Sequence, residues 1–359
     1  MKRKVRTLLE FTGSHGLDQR QSYELLLKLS LCEEGTRGGK VPRPLFVTID
    51  PVNACNLKCR WCNADFLLRQ KTRMISRDTL YSLIDFLLTW DDGVDAVTFS
   101  GGGEPLVHPQ FAGVLEKCLQ RSLITGISTN GVKIGDYAEL ISRCHWVGVS
   151  VDAGSGALMK ELKGYDYFDG IMESLRRLTE LSRKKRRPLT EKPLGCGVLF
   201  RYLVSRENVH ELALAARKAK EAGCGSFYYR PASLPWHRRE EASPGDEGLG
   251  GMEELFLEEA ARAGALEDRD FRIWGYTDTP PRTGRTCREL LSTALFMPAL
   301  EGSEDEFDLG LCYDRRGDEK LLLGKSLKSP RDAAALWGSG RHRDMVESID
   351  TACCPRCPR

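Results

Sequence analysis

Cys55-Asn56-Leu57-Lys58-Cys59-Arg60-Trp61-Cys62 places three thiols at C-x-x-x-C-x-x-C spacing, a few residues after a short β-rich run, Leu45 to Asp50. The chain holds 13 cysteines in 359 residues. Random placement would give this spacing only about 0.02 times per chain, so the triplet is read as chemistry. Three thiolates on one tight loop can hold three irons of a 4Fe-4S cluster and leave the fourth iron open, whereas a closed structural zinc site needs a fourth protein ligand. The basic start, Met1 to Arg6, is followed by only Thr7-Leu8-Leu9 before Glu10, so no secretory signal is expected. Cysteines used in this way point to a reducing compartment, and a cytoplasmic location is expected.

Outward from the triplet, short β-rich runs alternate with amphipathic helical stretches, the pattern of consecutive βα units around a parallel sheet. The expected strands are Leu45 to Asp50, Asp95 to Ser100, Ile124 to Ser128, Trp146 to Val151, Gly197 to Val204 and Ser226 to Arg230. Between them the helices are expected over Ser76 to Trp90, Pro109 to Arg121, Gly135 to Cys144, Tyr167 to Lys184 and Glu207 to Ala222. Six such units make an α/β fold, as a partial barrel or an open sheet, and either form gathers its chemistry at the carboxyl ends of the strands. Residues 1–40 read as an N-terminal extension with one helix, Leu17 to Leu31, residues 41–250 as the barrel and residues 251–359 as a smaller C-terminal region. Ala232 to Gly251 reads as a long connection before a helix over Met252 to Ala263. A β-hairpin is expected over Phe307 to Tyr313 and Lys320 to Leu323, and a last helix over Pro330 to Ile349.

Lys+Arg total 53 and Asp+Glu 51, a formal net charge of +2. That balance argues against capture of nucleic acid or of an anionic membrane surface. Apolar runs such as Gly195 to Leu203, itself interrupted by Arg201, are far shorter than the roughly 20 residues that span a bilayer.

After the second expected strand comes Gly101-Gly102-Gly103-Glu104-Pro105. Glycine lets a backbone approach a ligand with no side chain between them. This run lacks the Lys-Ser/Thr pair of a phosphate loop and the spacing of a dinucleotide fingerprint. The triplet and the glycine run together resemble the radical S-adenosylmethionine (SAM) superfamily, whose hallmark is a cysteine triplet after strand one of a partial (β/α)6 barrel. The resemblance implies a 4Fe-4S cluster on Cys55, Cys59 and Cys62, with Gly101, Gly102, Gly103 and Glu104 against the methionine end of SAM. It also implies SAM contacts from Ser128 and Asn130 in the turn Ser128-Thr129-Asn130-Gly131, from Ser150 and Asp152 after strand four, and from Asn208 and Arg230 on the adenine side. Read alone, Asp152 has the alternative of capping a helix.

A second set of thiols follows the barrel: Cys287, Cys312 and the tail Cys353-Cys354-Pro355-Arg356-Cys357. Four thiolates close either a further cluster or a structural zinc site. Beside the triplet, this set resembles the twitch extension of radical SAM dehydrogenases, the shorter relative of the SPASM extension. It implies one auxiliary 4Fe-4S cluster on Cys287, Cys312, Cys354 and Cys357, with Cys353 as an alternative ligand and a zinc knuckle as the bland reading. Cys32, Cys118, Cys144, Cys196 and Cys224 lack ligand spacing and read as core or bystander thiols.

The reaction implied is reductive cleavage of SAM to a 5'-deoxyadenosyl radical, which abstracts a hydrogen from an unactivated C–H bond. The auxiliary cluster would then accept an electron from the substrate radical, a net two-electron dehydrogenation. The implied partners are a small-molecule substrate and a flavodoxin- or ferredoxin-like electron donor. Residues 1–40 carry one helix and no three-stranded pattern, which disfavours a leader-dependent peptide substrate. The expected substrate is a small polar metabolite, such as a sugar, an aminocyclitol or a nucleoside-like intermediate. Arg230, Trp236 and His237 are candidates for contacting it, against the alternatives of an internal ion pair for the arginine and simple packing for the other two. Epimerisation, decarboxylation, sulfur insertion and ribosomal-peptide maturation are the alternatives within the superfamily, and a zinc- or RNA-binding module is the alternative outside it.

Overall fold

The computed structural model describes residues 41–44, 46–94, 96–121, 123–184, 197–232, 235–241, 249–275, 277 and 287–349. The expected helix Leu17 to Leu31, the thiols Cys32 and Cys196, and the tail thiols Cys353, Cys354 and Cys357 lie outside those residues.

Along the chain the elements run β1 (Phe46–Ile49), α1 (Asp65–Leu68), α2 (Arg77–Leu87), β2 (Ala96–Phe99), α3 (Phe111–Gln120), β3 (Ile124–Thr129), α4 (Ile134–Ile141), β4 (Trp146–Ser150), α5 (Gly156–Lys163), α6 (Phe168–Lys184), β5 (Val198–Val204), α7 (Leu212–Glu221), β6 (Ser226–Pro231), α8 (Glu253–Gly264), β7 (Arg272–Gly275), β8 (Thr293–Pro298), β9 (Phe307–Gly310), β10 (Leu322–Leu327), α9 (Pro330–Leu336) and α10 (Gly340–Ser348). The six expected strands are β1 to β6, with ends shifted by no more than one residue. The chain divides into two compact units, and the division falls inside β3.

The first unit draws its described residues from 41–56, 63–126 and 287–349. Its strand order is β10-β9-β8-β1-β2. Strand β1 is parallel to β2 on one side and to β8 on the other, with Phe46 opposite both Ala96 and Thr293. Strands β8, β9 and β10 then run antiparallel to one another. Every residue of β8 is buried, as expected of a strand covered on both faces. The Ser76 hydroxyl caps α2 by accepting the Thr79 N–H, and Leu80, Leu83, Ile84 and Leu87 line its buried face. Phe111 of α3 meets Phe99 of β2 edge-on with ring centroids 5.1 Å apart. Each fully buried side chain of this kind stabilises the fold by about 1.5–3 kcal/mol.

The expected hairpin forms as β9 and β10. The expected helix over Pro330 to Ile349 is instead two helices. Trp337 leaves helical geometry at ψ 126, and Ser339 starts α10 by accepting the His342 N–H. A side-chain cap inside an otherwise periodic stretch ends one helix and begins the next.

The second unit draws its described residues from 57–62 and 127–277. Strands β4-β5-β6-β7 lie side by side in that order, each parallel to the next. The expected long connection Ala232 to Gly251 contains a short 3-10 turn, Trp236–Glu241. No helix among the described residues is long and apolar enough to cross a membrane.

Candidate functional site

In the first unit, the chain leaving β1 is fastened on both sides of the cysteine loop by Asn53, which is 5% exposed. Its Nδ2 donates to the carbonyls of Leu67 at 3.3 Å and Lys71 at 3.2 Å, and its Oδ1 accepts the Arg73 N–H at 2.6 Å. Leu67 lies in α1, just past Cys62, so one amide side chain fixes the approach to the loop against its exit.

The glycine motif meets the same lead-in. The Glu104 N–H donates to the Ala54 carbonyl at 2.8 Å. A Cβ on Gly103 would overlap that carbonyl oxygen and lie 2.5 Å from the carbonyl oxygen of Val52. Only glycine permits this approach. The Gly102 N–H donates to Asp50 Oδ2 at 2.7 Å, and Asp50 is in turn held by Arg316, whose Nε lies 2.5 Å from the same oxygen. Burial is the largest single influence and opposes the Arg316 charge, but Asp50, Asp314 and Tyr313 together outweigh it and the guanidinium pKa moves up. The Glu104 carboxylate accepts the Leu106 N–H at 3.1 Å and so caps the turn Pro105–Val107.

In the second unit, α5 grips the middle of the cysteine loop. Its last carbonyls, which have no partner inside the helix, accept the N–H groups on either side of Cys59: Lys163 O from Lys58 at 3.3 Å and Leu162 O from Arg60 at 2.9 Å. The Lys163 side chain is 2% exposed and its Nζ reaches Asp152 Oδ2 at 2.8 Å and the Ser150 carbonyl at 2.5 Å. Asp152, at φ +59, accepts the Leu203 N–H with its other oxygen at 2.8 Å. Asn208 donates to the Asp152 and Leu203 carbonyls at 2.9 and 2.8 Å and accepts the Ser205 N–H at 2.7 Å. Asp152 and Asn208, chosen from the sequence as SAM contacts, therefore bind the ends of β4 and β5 to each other.

The Ser128 hydroxyl accepts from Arg201 Nη1 at 2.7 Å, and Asn130 Oδ1 accepts the Val132 N–H at 3.1 Å in a side-chain turn. Arg230 is half-buried on β6, in register with Leu203. Trp236 and His237 sit on the 3-10 turn with rings 5.6 Å apart, edge to face. Arg60 makes an ion pair with Glu207 at 3.4 Å. Sequence reasoning missed Asn53, Lys163 and Arg316, which act through bonds to distant backbone or side chains.

Cys55, Cys59 and Cys62 are half-buried and in no disulfide, and the Cys62 N–H turns back to the Cys59 carbonyl at 3.3 Å. Among the described residues no three Cys, His, Asp or Glu side chains converge on one metal-ion position. Thiolates serving a cubane do not need to, because each binds its own iron. By donor chemistry and by spacing along the chain, three thiols at C-x-x-x-C-x-x-C fit a cluster with an open iron. Cys287 and Cys312 are likewise half-buried and in no disulfide. The β8–β9 register, Leu295 opposite Gly310, continues so that Thr293 Oγ1 donates to the Leu311 carbonyl at 3.3 Å, one residue before Cys312. Cys118 and Cys224 are buried, as core thiols should be, whereas Cys144 is half-buried, a bystander at the end of its helical segment.

Residues 49–191, which include the cysteine loop and the glycine motif, match the model of the radical SAM superfamily. Residues 49–191 form a radical SAM domain. Proteins of this superfamily use a 4Fe-4S cluster and SAM, so the radical SAM reading of the triplet stands on its pattern and on the match together. Among curated relatives, the GTP 3',8-cyclase of Streptomyces coelicolor is 29% identical over 143 residues, which cover 38% of this chain and 41% of the relative. The matched segments span 41 to 60% of the curated relatives' own lengths. Among solved structures, Streptococcus suis SuiB bound to the precursor peptide SuiA superposes with a TM-score of 0.62 at 16% identity, covering 92% of this chain and 71% of that one. The anSMEcpe structure with bound SAM gives a TM-score of 0.59 at 16% identity, covering 86% and 84%. At such identities the likeness shows the fold alone: α/β with a large parallel sheet, as expected from the βα repeats.

Proposed function

We propose that this radical SAM enzyme is an oxidoreductase that abstracts hydrogen from a small polar metabolite and carries it through a two-electron dehydrogenation. In this reading Cys55, Cys59 and Cys62 hold the SAM-binding cluster, while Cys287, Cys312, Cys354 and Cys357 hold one auxiliary cluster within the region 251–359. The observation that carries the reading is the seating of the glycine motif on the approach to Cys55, through the Glu104 N–H to Ala54 O bond and the absence of a Cβ at Gly103. When bound, the cluster and SAM supply the 5'-deoxyadenosyl radical.

The protein's own part is to orient and to shield. Asn53 fixes the ends of the cysteine loop, α5 fixes its middle, and the glycine run presents backbone with no side chain in the way. Arg230, Trp236 and His237 are assigned to the substrate, and a flavodoxin- or ferredoxin-like protein to electron supply. A second reading, a peptide substrate, is favoured by the fold likeness to SuiB with its precursor peptide and to anSMEcpe with the Cp18Cys peptide.

Anaerobic incubation of the iron-loaded chain with SAM, a reductant and deuterated sugars, aminocyclitols, nucleosides or peptides separates these readings. The proposal expects deuterium from a metabolite to enter 5'-deoxyadenosine, with a product lighter than its substrate by two hydrogens. Transfer from a peptide supports the second reading. A product that has exchanged the abstracted deuterium for a solvent hydrogen at the same carbon, with its total number of hydrogens unchanged, is epimerisation and contradicts dehydrogenation.

A further inference from the structure

The loop after β9, residues 312–318, starts at Cys312 and sends Arg316 into the interior of the first unit. The Arg316 side chain is 5% exposed and that of Asp50 1%. Its Nε and Nη2 face the two Asp50 carboxylate oxygens at 2.5 and 3.3 Å, Nη2 also reaches Ser100 Oγ at 3.3 Å, and Nη1 donates to the Tyr313 carbonyl of its own loop. Asp50 directly follows β1, Ser100 directly follows β2, and Asp50 Oδ2 also accepts the Gly102 N–H at 2.7 Å. The bonds thus run without a gap from the Cys312 loop to the glycine motif.

Packing follows the same route. A Cβ on Gly317 would lie 3.0 Å from the Phe66 ring and 3.1 Å from Leu67 Cδ2, and one on Gly102 would lie 3.0 Å from Leu67 Cδ1 and 3.7 Å from Arg316 Cδ. The loop therefore rests on α1, which follows the cysteine triplet, and on the glycine motif at once.

A buried Arg–carboxylate pair that also holds three other groups fixes geometry, since removing one partner strands the other charge. Beyond its pairing with Arg316, Asp50 takes up one backbone N–H of the glycine motif and so holds that backbone in place. We propose that Arg316 is a positioning residue for SAM: through Asp50, which takes up the Gly102 N–H, it anchors the backbone of the glycine motif, and so makes the affinity of that motif for SAM depend on the loop that carries Cys312. The inference rests on the reading of Gly101 to Glu104 as the SAM-facing segment.

Anaerobic equilibrium dialysis of radiolabelled SAM against the iron-loaded full chain tests it in the wild type, Arg316→Lys, Asp50→Asn and Cys312→Ala. The Arg316 and Asp50 variants should keep wild-type iron at the triplet and wild-type circular dichroism, yet bind SAM about tenfold or more weakly, the size of loss typical when a group that orients a ligand contact is removed. The double variant should bind no more weakly than the worse single one, because both act on the same N–H. At saturating SAM, 5'-deoxyadenosine release should stay within about twofold of wild type, the split between binding and turnover expected of a ground-state contact. Cys312→Ala should weaken SAM binding in the same direction.

Wild-type SAM affinity in folded Arg316→Lys and Asp50→Asn overturns the proposal, as does wild-type affinity in Cys312→Ala. If Arg316→Lys does not fold, Asp50→Asn decides alone, and loss of fold in both assigns the pair to stability and overturns the positioning role. Failure of the wild type itself to bind SAM when iron-loaded overturns the underlying reading of the glycine motif, a result distinct from any of these.

Discussion

At Gly103 the chain has no room for a methyl group, because the space a Cβ would need is taken by the carbonyls of Val52 and Ala54. Gly103→Ala is expected to cost about 1–3 kcal/mol, the range for overpacking a tight contact. It should also lower the iron retained after anaerobic reconstitution. Urea unfolding and an iron assay check both, and a variant with unchanged midpoint and iron content would contradict the close approach. The residues legible in the sequence were those whose chemistry is local: three thiols at fixed spacing, three adjacent glycines. Asn53 and Arg316 were not legible, because their partners lie 14 and 266 positions away and no local pattern marks an amide or a guanidinium that will be buried. Asp152 and Asn208 were visible but are bonded to the backbone of β5 and its neighbours, the cap-like role that polar residues after strands often take.

In the second unit, α5 holds the chain on both sides of Cys59 together with the candidates Ser150 and Asp152. Its carbonyl end holds Lys58 and Arg60, and its Lys163 side chain holds Ser150 and Asp152. Lys163→Met leaves the Asp152 carboxylate without its cation and is expected to destabilise the protein by about 3 kcal/mol or more. Lys163→Met/Asp152→Asn should recover part of that loss, as read by denaturant midpoints in a double-mutant cycle. A single variant within about 0.5 kcal/mol of wild type would contradict the role given to the pair. Sequence periodicity missed α5 because it is only eight residues long and follows a stretch, Ala153-Gly154-Ser155, that reads as loop. The break between α9 and α10 was missed for the opposite reason, since apolar spacing continues across a point where Ser339 caps a new helix.

At the scale of the whole molecule, the βα alternation revealed the parallel core, while β7 and β8 escaped it. Strand β8 is recruited beside β1 from the far end of the chain, and Thr293 to Pro298 carries no alternation because it is buried throughout. The fold also holds two histidines neutral. His108 and His342 have pKa values lowered from 6.5 by burial. Each accepts a backbone N–H at Nδ1, from Gln110 and Gly338 respectively, and places Nε2 against a carbonyl oxygen. The unfolded chain takes up protons that the folded chain refuses, so the stability these groups contribute is present above about pH 6.5 and is lost as the pH falls through their folded values. The thermal midpoint should fall between about pH 7 and pH 5, and fall less steeply in His342→Gln, with equal slopes as the contrary result.

The claim on which the rest depends is that Cys55, Cys59 and Cys62 serve SAM cleavage. Its most direct test is release of 5'-deoxyadenosine from SAM by the anaerobically reconstituted, chemically reduced chain, wild type against Cys59→Ala. The account predicts release by the wild type and none by Cys59→Ala, together with a loss of about four irons per chain. Undiminished release by Cys59→Ala, or no release by a wild type carrying its full iron, would contradict it.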